Sequence, residues 1–263
     1  MYLKFLSLGS GSSGNSYLLS DGNTVLMIDA GIGIRSMKST LFRYGFNLNS
    51  INALLLTHDH SDHARTSGKI ASRHNIPVFA TATSFQGIDN NPVINPKVPV
   101  ALRHHICVDE EFSVGPFHVT PLQVSHDSWD CVAYRIIYND KVFAIITDCG
   151  YLDAPLLQLI GDADYLIIES NHDEGMLLSG RYPAMLKQRI LSPRGHLSNT
   201  SCSHALQEFL SDHCQHVWLC HLSHDNNRPE IAYECSAPIL QRLPHLQLHV
   251  LKRTEVMDFT IEL

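Results

Sequence analysis

Apolar residues fall along this chain in short runs broken by polar and glycine-rich turns, and the period of the runs changes from segment to segment. Apolar or alternating runs predict strands at 2–8, 15–20, 24–29, 53–57, 77–80, 111–114, 117–123, 131–138, 142–147, 164–169, 216–220, 247–251 and 256–261. Apolar positions spaced three and four apart predict helices near 34–44, 63–75, 153–160, 183–192, 201–212 and 229–242. Residues 90–105, rich in Pro and Asn, read as an irregular connection. Strands occur in both halves with helices between them, the pattern of an α/β chain. No solenoid repeat, low-complexity segment or linker interrupts it, so one domain over 1–263 is expected.

The strand at 53–57 runs into Thr57-His58-Asp59-His60-Ser61-Asp62-His63, which places three histidines and two aspartates within seven residues. A buried strand ending in His-x-His-x-Asp-His delivers four metal-capable side chains to the loop at its tip. Imidazole with carboxylate suits zinc, manganese or iron. The His-x-His pair can hold one ion and the Asp-His pair a second.

This run resembles the signature of the metallo-β-lactamase fold superfamily of binuclear metallohydrolases. The resemblance implies a four-layer αβ/βα sandwich, two mixed sheets flanked by helices. It also implies three further ligands in a fixed order, each after a strand. Val119–Val124 leads to Ser125-His126-Asp127, Phe143–Ile146 to Thr147-Asp148, and Val217–Cys220 to His221. His224 competes with His221, which is preferred because it directly ends its strand. The implied set is His58, His60 and His126 on one divalent ion, and Asp62, His63 and His221 on the other. Asp148 bridges the two. No cysteine stands at these positions, unlike many lactamases proper.

Two more motifs narrow the reading. Glu169-Ser170-Asn171-His172 ends a strand, and Gly195-His196-Leu197-Ser198-Asn199 follows. They resemble the Glu and Gly-His elements of the RNase Z phosphodiesterase branch. That likeness implies a general acid, His196, tuned by Glu169, which protonates the poor alkoxide leaving group of a phosphodiester. The whole pattern resembles the YycJ/WalJ-like group. The shared elements are Ser-Ser-Gly-Asn-Ser at 12–16, Glu-Ser-Asn-His-Asp at 169–173, Gly-x-Tyr-Pro at 180–183 and His-Leu-Ser-x-Asp-Asn-Asn at 221–227. That resemblance implies a DNA nuclease of 5′→3′ exonuclease type. In it a metal-bridging hydroxide, oriented by Asp62 and Asp148, attacks phosphorus. Ser13 and Asn15 in the glycine-rich opening, with Asn171, His172 and Asn199, are candidate substrate contacts. A small-molecule hydrolase of the same fold, acting on a lactone, thioester or cyclic nucleotide, is the alternative.

Composition adds limits. A net charge of −7 argues against a basic surface that simply coats nucleic acid, though two bound cations would still admit a phosphodiester. The stretch near 183–192 carries Arg181, Lys187, Arg189 and Arg194 at or beside it, either a solvated helix face or a phosphate-binding one. Seven scattered cysteines without a Cys-x-x-Cys pair predict a reduced, cytoplasmic chain with no disulfide framework. No run is long enough to span a membrane, and the first residues lack a signal peptide's apolar region. Nothing resembles the tRNA-gripping arm of RNase Z, and the 72 residues between Asp148 and His221 leave no room for an inserted nucleic-acid-processing domain. A nucleic-acid substrate is expected, DNA in preference to RNA, and the oligomeric state is left open.

Overall fold

A computed structural model describes residues 2–263. In chain order its elements are β1 (Tyr2–Gly9), β2 (Ser16–Ser20), β3 (Val25–Ile28), α1 (Ile34–Arg43), β4 (Ala53–Leu55), α2 (Ser61–Ala64), α3 (Ser67–His74), β5 (Val78–Ala80), α4 (Ala82–Asn90), β6 (Arg103–His105) and β7 (Phe112–Val114). Then come β8 (Phe117–Gln123), β9 (Val132–Tyr138), β10 (Lys141–Ile146), α5 (Ala154–Asp162), β11 (Tyr165–Glu169), α6 (Glu174–Ser179), α7 (Ala184–Ile190), α8 (Asn199–Phe209), β12 (His216–Cys220), α9 (Pro229–Ser236), α10 (Ile239–Arg242), β13 (Gln247–Val250) and β14 (Met257–Glu262). They form two seven-stranded sheets, ordered β14-β1-β2-β3-β4-β5-β6 and β13-β12-β11-β10-β9-β8-β7. The chain divides into two compact units. One runs to His118 and includes Ser128–Asp130 and Lys252–Leu263; the other holds Val119–Asp127 and Cys131–Leu251.

In the first unit, β14, β1, β2 and β3 pair antiparallel, and β3 to β6 run parallel. Leu6, Leu18, Met27, Leu54 and Val78 of this sheet pack with Met37 and Leu41 of α1, Ile70 of α3, and Phe85 and Ile88 of α4. In the second unit, β10 to β13 are parallel and β9 is antiparallel to β10. Ala144, Ile146, Leu166, Ile168, Val217 and Leu219 pack with Leu156 and Ile160 of α5 and Leu206 of α8. Burying each such aliphatic side chain stabilises the fold by about 1.5–3 kcal/mol. The alternate residues of these strands are buried as well. Strands covered on both faces become continuous apolar runs, as Ala53–Leu56 and Leu166–Ile168 are. Among those alternate residues, Phe143, His216 and His249 stack on Trp218 with ring centroids 5.0–5.9 Å apart. Burial holds both histidines below their ordinary pKa, His249 at about 4.

The elements depart from the sequence pattern in a few places. Helix α4 has no counterpart in the predicted set. It presents only Phe85 and Ile88 to the core and starts at Thr81, whose side chain accepts from the Ser84 amide. Strand β6 lies inside the connection read as irregular and is held by pairing with β5. Helix α6 is one short segment capped by Asp173. The helix expected at 63–75 splits into α2 and α3, because Thr66 turns its amide and hydroxyl back to the Ala30 carbonyl at 2.9 and 2.8 Å. The one expected at 229–242 splits where Pro238 supplies no amide hydrogen. All seven cysteines are free thiols. Among the described residues no helix is long and apolar enough to cross a membrane.

Candidate functional site

The polar residues of interest follow the carboxyl ends of parallel strands, where α/β sheets usually hold ligands. In the first unit, β3 ends at Asp29 and β4 at the histidine run. Asp29 is fully buried. Its Oδ2 accepts from His63 Nδ1 at 2.6 Å, and its Oδ1 accepts from the Thr57 amide at 2.9 Å. The Thr57 hydroxyl donates to the same carboxylate, at 3.0 Å to Oδ2. With that hydrogen committed, Thr57 Oγ1 can only accept from His58 Nδ1, 2.9 Å away. One carboxylate thus fixes the tautomer of two imidazoles and leaves Nε2 of both unprotonated.

The rings of His60 and His63 stand 4.6 and 4.2 Å from that of His58. Asp62, in the first turn of α2, lies 3.6 Å from His63 Nε2. The glycine-rich opening reaches this group. Asn15 donates its amide to the Asp62 carbonyl at 2.7 Å, and its Nδ2 lies 2.9 Å from His63 Nε2. Ser13 is exposed on the same turn. Gly31 permits the approach, since a Cβ there would sit 1.6 Å from the Asp62 carbonyl oxygen.

In the second unit, Asp148 lies two residues beyond β10, Glu169 ends β11 and His221 directly follows β12. His126 follows β8. Glu169 is fully buried and accepts four hydrogen bonds. Oε1 takes His196 Nδ1 and His221 Nδ1, both at 2.8 Å. Oε2 takes the Cys149 and Leu197 amides at 2.8 and 3.0 Å. Burial pushes this carboxyl up, but the His196 charge and the hydrogen bonds from both histidines outweigh it and hold it well below the usual range. Burial opposes a charge on His196 in turn. Glu169, by charge and hydrogen bond, together with Asp148, nonetheless raises it above the ordinary value. The His196 side chain keeps 21% exposure, so its Nε2 side is the one a substrate can reach. Asp148 Oδ1 lies 3.3 Å from His221 Nδ1, 3.5 Å from His196 Nδ1 and 3.8 Å from His126 Nε2. His126 gives Nδ1 to the Gly195 carbonyl at 3.0 Å, which again leaves Nε2 as the lone-pair nitrogen.

Glycine is required at two points of this half. A Cβ on Gly195 would stand 2.1 Å from the Ile190 carbonyl, and one on Gly150 2.4 Å from that of Pro193. These close approaches seat the His196 loop beside the one carrying Asp148.

Of the other sequence candidates, Asn171 donates to the His221 carbonyl at 2.8 Å. Asn199 is locked in a buried net: its Oδ1 accepts from Ser170 Oγ at 2.7 Å and its Nδ2 donates to Asn227 Oδ1 at 3.0 Å. Asn227 Nδ2 donates to the Ser170 and Asn171 carbonyls at 2.8 and 3.0 Å. These asparagines therefore hold the backbone on which Glu169 and His221 sit. His172 is buried, and burial keeps it below its ordinary pKa. His224 is exposed and faces Asp225 at 2.9 Å. Asp29 and Asn227 have no counterpart among the residues chosen from sequence. The available signals were an aspartate directly after the run Val25–Ile28 and the second asparagine of Asp-Asn-Asn.

The donors of each half fit divalent cations. Lone-pair Nε2 atoms and carboxylates are the right ligand types, and Asp29, Thr57, Glu169 and the Gly195 carbonyl orient the histidines from behind, as carboxylates and carbonyls do around metal centres. This fold and donor set define a class, and a model of the β-lactamase superfamily domain matches residues 24–221. The chain belongs to that superfamily and is a metal-dependent hydrolase. It is 32% identical over 92% of its length to exodeoxyribonuclease YycJ of Bacillus anthracis, covering 90% of that protein. To exodeoxyribonuclease WalJ of Streptococcus pneumoniae serotype 2 it is 34% identical, over 88% of this chain and 85% of the other. The metallo-β-lactamase fold protein YhfI of Bacillus subtilis matches with a TM-score of 0.72 at 18% identity, covering 98% of this chain and 100% of that one, which shows the fold.

Proposed function

We propose that the chain is a binuclear phosphodiesterase that shortens DNA as a 5′→3′ exonuclease, with its two units serving as one catalytic domain. The observation that carries this is the Glu169–His196 pair, a buried carboxylate at 2.8 Å from a partly exposed imidazole, beside Asp148. Such a pair suits protonation of an alkoxide, which the thiolate released from a thioester needs far less. The activity for which the two relatives are named agrees with it.

In this reading His58, His60 and His126 hold one ion, Asp62, His63 and His221 the other, and Asp148 both. Zinc, manganese or iron would be accommodated by these donors. Divalent ions there supply Lewis acidity toward the phosphate and a nucleophilic water near neutral pH. The chain's own groups do the rest. Asp62 and Asp148 orient the attacking water. His196 Nε2 gives its proton to the leaving oxygen while Glu169 steadies the imidazolium. Ser13 and His172 are the substrate contacts, and Asn15, buried with both side-chain amide atoms bonded, acts from behind with Asn171 and Asn199 as a positioning group. Seven free cysteines suit the cytoplasm.

The test loads the protein with manganese or zinc and offers end-labelled single- and double-stranded DNA, matched RNA and bis(4-nitrophenyl) phosphate. Wild type should shorten DNA stepwise from its 5′ end. His196→Ala should slow DNA cleavage by ~10²–10⁴-fold, the contribution of a positioned acid. It should slow the nitrophenyl ester little, because nitrophenolate leaves unaided. Failure to cut any polymer, with turnover of lactones or thioesters indifferent to His196, would replace this reading with a small-molecule hydrolase.

A further inference from the structure

Helix α7 buries none of its residues. It exposes Met185 at 83%, and Leu178 before it and Leu191 after it are exposed at 62% and 45%. The stretch 180–207 around it contains Arg181, Lys187, Arg189 and Arg194 and no acidic residue, in a chain whose net charge is −7. This segment is fastened to the catalytic machinery. The Ile190 carbonyl accepts the His196 amide at 3.0 Å, and Arg194 Nε donates to the His126 carbonyl at 3.0 Å. Arg189 pairs with Asp127, next to His126. Lys187 spends one hydrogen on the Leu178 carbonyl at 2.6 Å and has two left. Arg181 makes no hydrogen bond or ion pair with the described residues. It lines a groove of about 500 Å³ with Met176, Tyr182 and Asp225.

Asp127 meets Arg189, but Arg181 and Lys187 keep donors unspent, which suits an anionic partner. Apolar side chains between the cations favour one that is also partly apolar. A single nucleic-acid strand has both properties, with phosphates for the cations and unstacked bases for the apolar groups. Duplex DNA offers only its phosphates and grooves. From this charge complementarity, and from the tie to His196, we infer that the α6–α7 segment is the track along which one strand of the substrate lies. Arg181 and Lys187 take phosphates, and the groove beside Arg181 gives a base room. The inference rests on the nuclease reading above and specifies how that site holds a polymer.

The test compares wild type with Arg181→Gln/Lys187→Gln on 5′-labelled single-stranded DNA from 50 to 200 mM salt, and on bis(4-nitrophenyl) phosphate. Each phosphate contact on a single strand contributes ~0.7 to the slope of log affinity against log salt, so losing two should flatten it by ~1.4. Over that fourfold salt range wild type should lose about sevenfold more apparent DNA affinity than the variant. At low salt the variant's KM for DNA should rise at least fivefold relative to its KM for the small diester. Equal KM values and equal salt slopes in an enzyme that does degrade DNA would overturn the track and leave the nuclease reading intact. If wild type cuts no DNA, the nuclease reading falls and the track with it. Arg181→Gln alone, which removes no bond within the protein, serves if the double variant melts early, and should flatten the slope by ~0.7.

Discussion

Glu169→Gln separates what the buried carboxylate does by charge from what it does by shape. The carboxylate accepts four hydrogen bonds, two from imidazole Nδ1 atoms and two from backbone amides. A glutamine has one acceptor oxygen. The Cys149 and Leu197 amides can only donate, so that oxygen must replace Oε2. The NH2 group then faces His196 and His221, and both imidazoles must move a proton from Nδ1 to Nε2 to accept from it. All four bonds survive in this arrangement, so stability should fall by less than the ~1–3 kcal/mol cost of one buried orphan group. The site should suffer far more. His221 Nε2 would carry a hydrogen where a ligand needs a lone pair, and changes behind a ligand typically cost ~10–100-fold in metal affinity. His196 would lose the carboxylate that raises its pKa, so its acid form would persist only to a lower pH.

Three measurements check this. Competition with a fluorescent chelator should show zinc affinity down ~10–100-fold. With metal restored in excess, DNA cleavage should remain down ~10²-fold or more and its optimum should move to lower pH. A urea titration should give nearly wild-type stability, whereas Glu169→Ala, which strands all four donors, should be markedly destabilised. A Gln variant with wild-type metal affinity and an unshifted pH profile would refute the tautomer argument, because the carboxylate would then be only a spacer.

Asp29→Asn should likewise lower metal affinity ~10–100-fold, since it disturbs His58 and His63 together, measured by the same competition. Gly195→Ala places a methyl group 2.1 Å from the Ile190 carbonyl and must displace His196, so DNA turnover should fall by ~10²-fold with KM less affected. Asn227→Ala takes the side-chain donor from the Ser170 carbonyl, while the Asn171 carbonyl keeps the Ser223 amide at 2.7 Å, and should lower stability by about 1–3 kcal/mol in denaturant titrations. His172, His216 and His249 are held below their ordinary pKa by burial, so the unfolded chain binds the extra protons. Stability should be complete above about pH 6.5 and fall as pH drops, with solvent screening keeping the share of the half-buried His216 and His249 well below the ~1.4 kcal/mol per unit of a fully buried group. The His249 share should stop growing near pH 4, and His249→Gln should reduce the slope; a flat profile between pH 7 and 5 would contradict this.

The metal-type residues were legible because each is a polar side chain set directly after an apolar run. That pattern depends on order along the chain and on strand periodicity, not on distant contacts. Elements with weak local signals were not legible. Helix α4 offers two core positions and β6 three residues, and each forms because a neighbour supplies the other half of the packing or the ladder. Asp29 was read as the last residue of a strand, which says nothing of its four hydrogen bonds to residues 28 and 34 positions on. Asn199 entered the sequence reading as a candidate substrate contact. Only the fold brings Asn227 and Ser170 to it.

Backbone conformation was the least visible feature, and it bears directly on the chemistry. Asp29, Asp148 and His221 all adopt left-handed φ angles, 60°, 49° and 54°. Each is the first residue beyond its strand, or the second in the case of Asp148. Such a conformation costs a non-glycine residue on the order of 1–3 kcal/mol. Glycine would relieve that cost at all three positions, yet none is glycine. Gly195 and Gly150 show that this chain does use glycine where only close packing is at stake. The three strained positions instead carry a carboxylate that orients two imidazoles, a carboxylate among three imidazoles, and an imidazole on Glu169. The left-handed turn reverses the side chain from the face of its strand toward the loop ends. A strand continuing in extended geometry would leave the same residue pointing into the apolar layers. Asn75, Asp109, Asp130, Asn139 and Asp140 share the left-handed φ, but at Asp29, Asp148 and His221 the strain falls where an apolar strand gives way to a polar side chain of the candidate site.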